Sequence, residues 1–345
     1  MIRLNRRRWL QLLAGLTTAK VLAACTQSTS PSGTTSGTSP SPQSPAADCP
    51  RGELNPPFCD RDGDMVADAP QNPSEFVNPD TLIFSYTPVE DPAVYKEVWA
   101  GFVAHLEKVT GKPVSFFAVD SNAAQLEAMK AGRLHVTGFN TGSVPLAVNA
   151  VGFVPFAMMA AKDGKFGYEM EIITHVDSPI KTVADLKGRQ LAFTTQTSNS
   201  GFKAPSALLK SEFGLEAEKD FKPVFSGKHD NSVLGVQNKD YEAAAIANSV
   251  KDRMCARGAA DCSKFRILYT SKTFPTTAYG YVYNLDPALV AKVKEAFFSF
   301  EWKGSGLEKE FGKEGEEQFI PISYKEKWEV VRQIDKAMGV EYILK

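Results

Sequence analysis

From residue 81 onward, short apolar runs alternate with stretches in which apolar positions recur every three or four residues. Thr81-Leu82-Ile83-Phe84-Ser85-Tyr86 reads as a strand. In Pro92–Thr110, the side chains of Val94, Val98, Phe102, His105 and Leu106 fall on one helical face. The same reasoning predicts a strand over 113–119, a helix over 123–131 and a strand over 134–139. Beta segments over Phe153–Ala160 and 169–175 and a short helix over 183–187 follow. A second series opens with a strand over 189–193. It continues through strand 224–225, helix 231–237, strand 243–246, helix 248–257 and strand 265–269. Helices over 287–300, 305–312 and 324–338 close the chain.

Two successive strand–helix–strand series predict an α/β fold of two lobes with a cleft between them. The first lobe is expected over 81–175 and the second over 176–272. Residues 273–345 would return to the first lobe and add C-terminal helices. Segments near 169–176 and 273–283 are expected to cross between lobes as the hinge.

The first 80 residues read differently. Arg6-Arg7-Arg8-Trp9-Leu10 is a basic start followed by a moderately apolar stretch that is too short and too polar to span a bilayer. Paired arginines before bulky residues resemble a twin-arginine export signal, with a general secretory signal as the alternative. Leu22-Ala23-Ala24-Cys25 resembles a lipobox, which would make Cys25 an acylated N-terminus after processing of 1–25. Residues 26–48 are mostly Ser, Thr, Pro and Gly and cannot bury enough surface to offset their ordering entropy, so a flexible tether is expected. Lipid, tether and folded body place the protein outside the cytoplasmic membrane, held by lipid.

A small Cys- and Asp-rich segment, 49–80, precedes the lobes. With Cys25 set aside, the remaining cysteines form two close pairs, Cys49 with Cys59 and Cys255 with Cys262. In an exported chain these read as local disulfides; the spacing and neighbours do not fit a zinc site. Asp60-Arg61-Asp62-Gly63-Asp64-Met65-Val66-Ala67-Asp68 alternates carboxylates around a glycine. Asp60, Asp62, Asp64 and Asp68 are a candidate calcium set, since hard cations want several oxygens from one tight loop. The loop resembles the calcium loops of thrombospondin type-3 repeats and lacks the closing Glu of an EF-hand. A solvated acidic turn is the alternative. Apart from that candidate calcium ion, no cofactor is expected.

The formal net charge is −1, and no basic patch is interleaved with aromatics, which argues against a nucleic-acid partner. The chemistry concentrates at Thr194-Thr195-Gln196-Thr197-Ser198-Asn199-Ser200-Gly201, between the 189–193 strand and an apolar-periodic helix that starts near Gly201. The first N–H groups of a helix lack partners and the positive end of its dipole lies there, so hydroxyl and amide side chains at this junction form a ready anion site. An ordinary helix cap is the alternative.

Together with Tyr86-Thr87-Pro88, Ser226-Gly227-Lys228-His229-Asp230 and the strand Ala243-Ala244-Ala245-Ile246, this turn makes residues 80–302 resemble the phosphate/phosphite/phosphonate substrate-binding components of ABC importers. The resemblance implies a type II periplasmic-binding fold that closes on a phosphorus oxyanion, is monomeric, and serves an ABC permease and its ATPase. Matched residue by residue, the oxyanion cradle falls on Thr197, Ser198, Asn199, Ser200 and Gly201. Tyr86 would donate from the opposite lobe, and His229 would donate or, if protonated, add charge. Thr141 would donate from the first lobe.

Two positions depart from the family pattern. Where an acidic residue often follows the Ala-rich strand, this chain has Ala247-Asn248-Ser249; Asn and Ser can donate as well as accept, which points to a changed preference for the ligand's protonation state, with Ser249 a candidate contact. The loop Gly138-Phe139-Asn140-Thr141-Gly142-Ser143 lacks the usual Ser-Tyr ending. A small ligand is therefore expected: phosphate, phosphite or methylphosphonate. Phe139, Phe274 and Tyr279 are candidate cleft walls, and Lys203 and Lys228 are candidate anion-steering surface lysines.

Two other classes compete. An exported phosphoesterase using a serine of 198–200 is disfavoured by the absence of a Gly-x-Ser-x-Gly elbow and of a second histidine in a triad context. His105, His135 and His175 read as structural. A ligand-sensing partner of a membrane kinase or chemoreceptor on the same fold stays open.

Overall fold

The computed structural model describes residues 49–344. The export signal, Cys25 and the tether lie outside the described residues. Strands β1 (Leu82–Ser85), β2 (Val114–Phe116), β3 (Val136–Phe139) and β4 (Phe153–Ala160) begin a first sheet. Strands β5 (Met170–His175), β6 (Gln190–Phe193), β7 (Lys222–Phe225), β8 (Ala243–Ala247) and β9 (Phe265–Thr270) form a second. The chain then returns with β10 (Ala278–Val282) and β11 (Gln318–Pro321). The strand orders are β11-β4-β10-β3-β1-β2 and β7-β6-β8-β5-β9.

Helices α1 (Pro92–Thr110), α2 (Asn122–Lys130) and α3 (Val144–Val151) belong to the first lobe; α4 (Ala204–Phe213), α5 (His229–Gln237) and α6 (Asn248–Ala256) belong to the second. The chain finishes with α7 (Pro287–Phe298), α8 (Gly306–Phe311), α9 (Tyr324–Lys327) and α10 (Glu329–Ala337).

Local chemistry accounts for α1. Asp91 caps the Ala93 N–H, Pro92 occupies the first turn, and Gly111 ends the helix at φ 69°. Its inner face carries Tyr95, Trp99, Phe102 and Leu106 into the first core, where Phe84, Phe297 and Phe319 meet them. In the second lobe β8 is four alanines and one isoleucine, buried along its whole length. Parallel β6 lies on one side of it and antiparallel β5 on the other. A strand buried on both faces needs apolar residues throughout, which is why it shows no alternation.

The lobe boundaries differ from the expectation. Residues 169–175, read as the end of the first lobe and as hinge, supply β5, an interior strand of the second sheet. Residues 278–282, also read as hinge, are β10, paired on both sides inside the first sheet. The crossings are therefore 161–169 and 271–277. Helix α3 and strand β11 were not anticipated; α3 is only eight residues long and Ser143 makes no side-chain cap at its start.

The Cys-rich segment packs on the first lobe through Leu54, Phe58 and Val66, with the Phe58 and Tyr283 rings 5.0 Å apart. Cys49 is disulfide-bonded to Cys59, and Cys255 to Cys262. Among the described residues no helix is long and apolar enough to cross a membrane.

Candidate functional site

Strand β6 ends at Phe193, and the chain turns through Ser198 into a wide π-helical turn, Asn199–Lys203, that leads into α4. Ser198 Oγ accepts the Gly201 N–H at 3.0 Å, and the Lys203 N–H closes on the Ser198 carbonyl at 3.0 Å. Gly201 is required by crowding: a Cβ there would lie 2.0 Å from Thr194 Oγ1. With its first amides free of helical acceptors, the turn directs donors outward.

Two more helix starts converge on the same space. Helix α5 begins at His229 and α6 at Asn248, and the cavity between the lobes, about 290 Å³, is lined by His229, Ala247, Asn248 and Ser249 together with Ser198, Asn199 and Ser200. Three positive dipole ends thus face one cavity, a field suited to an anion. Its size sits at the low end for small-molecule sites, about 300–1,000 Å³.

His229 is oriented by the backbone. Its Nδ1 accepts the Ala247 N–H at 3.1 Å, and its Nε2 lies 3.3 Å from Ser198 Oγ. An accepting Nδ1 puts the ring proton on Nε2. Burial pushes the imidazole down to about 4, so at neutral pH it is an uncharged donor. The added positive charge allowed for it in the sequence reading does not arise, because a desolvated ring with a satisfied Nδ1 resists a second proton.

The facing wall is supplied by Tyr86 and Thr141 of the first lobe and by Thr276 and Thr277 of the crossing. Tyr86 is packed edge-on against Tyr95, 4.6 Å between centroids, and burial pushes its phenol well above the ordinary value. It is therefore a neutral donor. Thr141 is turned differently from the expectation. Its hydroxyl donates to the Pro275 carbonyl at 2.7 Å, so it offers lone pairs to the cavity.

Thr197 and Gly201 do not line the cavity. Thr197 Oγ1 accepts from Asn122 Nδ2 of the other lobe at 3.1 Å, and Gly201 is turned against Thr194. Asn248 is fully engaged: its Oδ1 accepts from the Glu169 and Ser249 N–H groups, and its Nδ2 donates to Glu169. Ser249 lines the cavity. Phe139 and Tyr279 are fully buried in the first core, and Phe274 packs in the second.

Lys203 is not a surface lysine. It is 4% exposed, paired with Asp335 at 2.8 Å and donating to the Gly142 carbonyl at 2.8 Å. Its spacing from the turn carries no sign that a residue of the C-terminal helix would neutralise it.

Among the lining residues the sequence did not single out are Tyr168, Thr276 and Arg253. Tyr168 Oη accepts from Asn199 Nδ2 at 3.3 Å. Burial pushes this phenol up, against hydrogen bonds involving Thr141, Asn199 and Ser200. Thr276 Oγ1, a hydroxyl able to donate, is buried without a protein partner, as a group waiting for an anionic ligand is. Arg253 lines the cavity, but its charge faces Glu90 at 2.9 Å. Burial pushes the Glu90 carboxyl up, and Arg253 and Arg257 pull harder the other way, leaving it below its ordinary value. Glu316, also lining the cavity, is pushed up to about 7 by burial, with Arg253 opposing.

The family model described as "ABC transporter, phosphonate, periplasmic substrate-binding protein" matches residues 84–327. The chain belongs to this family. It is a substrate-binding component of a transport system, not an enzyme. This binding protein is 25% identical over 241 residues to the phosphate-import protein PhnD of Mycolicibacterium smegmatis, covering 67% of this chain and 75% of that protein. Two solved structures share its two-lobe fold. A binding protein component of an ABC phosphonate transporter from Pseudomonas aeruginosa has a TM-score of 0.68 at 18% identity, over 76% of this chain and 88% of that one. PhnD1 from Prochlorococcus marinus, in complex with methylphosphonate, has a TM-score of 0.67 at 17% identity, over 76% of this chain and all of that one, 100%. The family match spans both lobes and leaves the acidic loop outside it.

Proposed function

We propose that the binding protein captures a phosphorus oxyanion, either phosphate, phosphite or a small phosphonate, between its lobes and delivers it to an ABC permease and its ATPase. The supporting observation is the convergence of the Ser198–Ser200 turn, His229 and the start of α6 on one cavity of about 290 Å³. Ser198, Asn199, Ser200, Ser249, Tyr86 and the His229 Nε2–H supply neutral donors. Backbone and hydroxyl donors replace an anion's hydration without a second buried charge, whose desolvation would cost several kcal/mol. Such a site holds the anion and still releases it. The chain's own groups suffice, and no cofactor enters. PhnD of M. smegmatis carries the description phosphate import, and the Prochlorococcus protein holds methylphosphonate; both lie within this ligand class. Acylation at Cys25 would tether a monomeric receptor to the membrane.

Calorimetric titration of the full-length protein with phosphate, phosphite, methylphosphonate and 2-aminoethylphosphonate tests the proposal, repeated on Ser198→Ala. Removing one hydrogen bond to a charged ligand costs about 1.5–3 kcal/mol, so affinity for the preferred anion should fall roughly 10- to 150-fold. Absence of heat with all four anions, from protein shown to be folded, overturns the phosphorus assignment.

A further inference from the structure

The acidic segment before β1 is outside the cleft and outside the family match, yet its side chains are gathered. One carboxylate oxygen from each of Asp60, Asp62 and Asp64 lies within 4.8 Å of the others. Asp60 is 8% exposed, and its Oδ1 is buried without a hydrogen-bond partner. A buried, unpartnered carboxylate oxygen is costly unless something positive sits against it. Neither of the two neighbouring cations is paired with these three carboxylates. Arg61 pairs with Asp68 at 3.0 Å, and Lys325 Nζ donates to the Gly63 carbonyl at 2.9 Å. Asp68 is thereby withdrawn from the candidate set read in the sequence, since its Oδ2 accepts from both the Arg61 side chain and the Arg61 N–H.

We propose that Asp60, Asp62 and Asp64 bind one calcium ion. The donors are all oxygen, and the neighbouring cysteines are consumed in the Cys49–Cys59 disulfide, so thiophilic metals have no ligand here. A separation of up to 4.8 Å matches two calcium–oxygen bonds of about 2.4 Å end to end; magnesium, at about 2.1 Å, demands a tighter octahedron. The loop is prepared for this. Asp62 Oδ1 accepts the Asp64 N–H and Asp64 Oδ1 accepts the Val66 N–H, which fixes the positions of both carboxylates. The ion would pin the disulfide-closed segment to the first lobe, where Phe58 and Val66 already enter the core. This site is independent of the anion cleft.

The test is calorimetric and thermal titration of the full-length protein with calcium chloride, and separately with magnesium chloride, up to 10 mM after chelator treatment. Extracellular calcium modules bind at about 0.1–1 mM. One calcium per chain is expected, with Tm raised by about 5 °C when the free ion exceeds the dissociation constant a hundredfold. Asp62→Asn combined with Asp64→Asn, both exposed positions, should abolish the heat and the Tm rise and leave anion binding in the cleft unchanged. Asp60→Asn should do the same to calcium. No calcium heat, a calcium effect that survives the double variant, or equal binding of magnesium would each overturn the assignment.

Discussion

His229 Nδ1 takes the Ala247 N–H at 3.1 Å, and this single contact decides which nitrogen faces Ser198 and the cavity. The residue at the start of one helix is thereby aimed by the last residue of the neighbouring strand, just ahead of a second helix.

The His229 imidazole is depressed from 6.5 to about 4 by burial. A depressed group contributes stability that is intact above its unfolded value and is lost as pH falls toward the folded one. Between pH 6.5 and 4 the unfolded chain takes up a proton that the folded chain refuses, a loss on the order of 3 kcal/mol. Tm measured from pH 7 to 4.5 should therefore fall more steeply in the wild type than in His229→Gln. Parallel curves would show that His229 titrates normally.

Gly142 sits against the anion turn. A Cβ on it would lie 2.2 Å from the Thr197 carbonyl oxygen and 2.4 Å from the Asn199 nitrogen. Gly142→Ala should therefore block approach of the two loops and leave each lobe folded. Overpacking costs about 1–3 kcal/mol, so affinity for the preferred anion should drop roughly 5- to 150-fold. Titration calorimetry reads the affinity, and circular dichroism confirms the fold.

Glu90 of the first lobe is fully buried between Arg253 of α6 and Arg257, which caps that helix, and Glu310 of α8 completes the network. These pairs exist only while the lobes touch. Glu90→Gln leaves two guanidinium groups facing a neutral amide, a cost of about 3–5 kcal/mol that falls on the closed state. Ligand affinity should fall a hundredfold or more. Small-angle scattering should show the ligand-saturated variant more expanded than the wild type.

The Lys203–Asp335 pair, 4% and 0% exposed, ties the anion turn to the C-terminal helix. Lys203→Met alone should lower unfolding free energy by about 3–5 kcal/mol in urea titration, because Asp335 is left buried and uncompensated. Adding Asp335→Leu should recover most of that loss. A double variant as unstable as the single one would show that packing, rather than charge, dominates there.

The calibre of the sequence reading follows the range of the interactions. Helix α1, with its Asp91 cap, Pro92 and Gly111, is fully local, and its bounds are the predicted ones. Strand β4 is likewise legible from its apolar run. The fate of Met170–His175 was not, because either sheet accepts an apolar strand and only pairing with β8 and β9 assigns it. The same holds within the site. Ser198, Asn199, Ser200 and His229 stand in recognisable local contexts. Tyr168, Thr276 and Arg253 come from crossings and a helix face and become neighbours only when the lobes meet.

Residue order alone thus carries the alternation of elements, the anion-ready turn and the aspartate loop, since periodicity, caps and turn chemistry act over a few residues. Tertiary structure decides the protonation of His229, the burial of Lys203 against Asp335, and the withdrawal of Thr197 and Asp68 to other partners. Those outcomes depend on desolvation and on partners up to 132 positions away, as Lys203 and Asp335 are, and no local pattern encodes them.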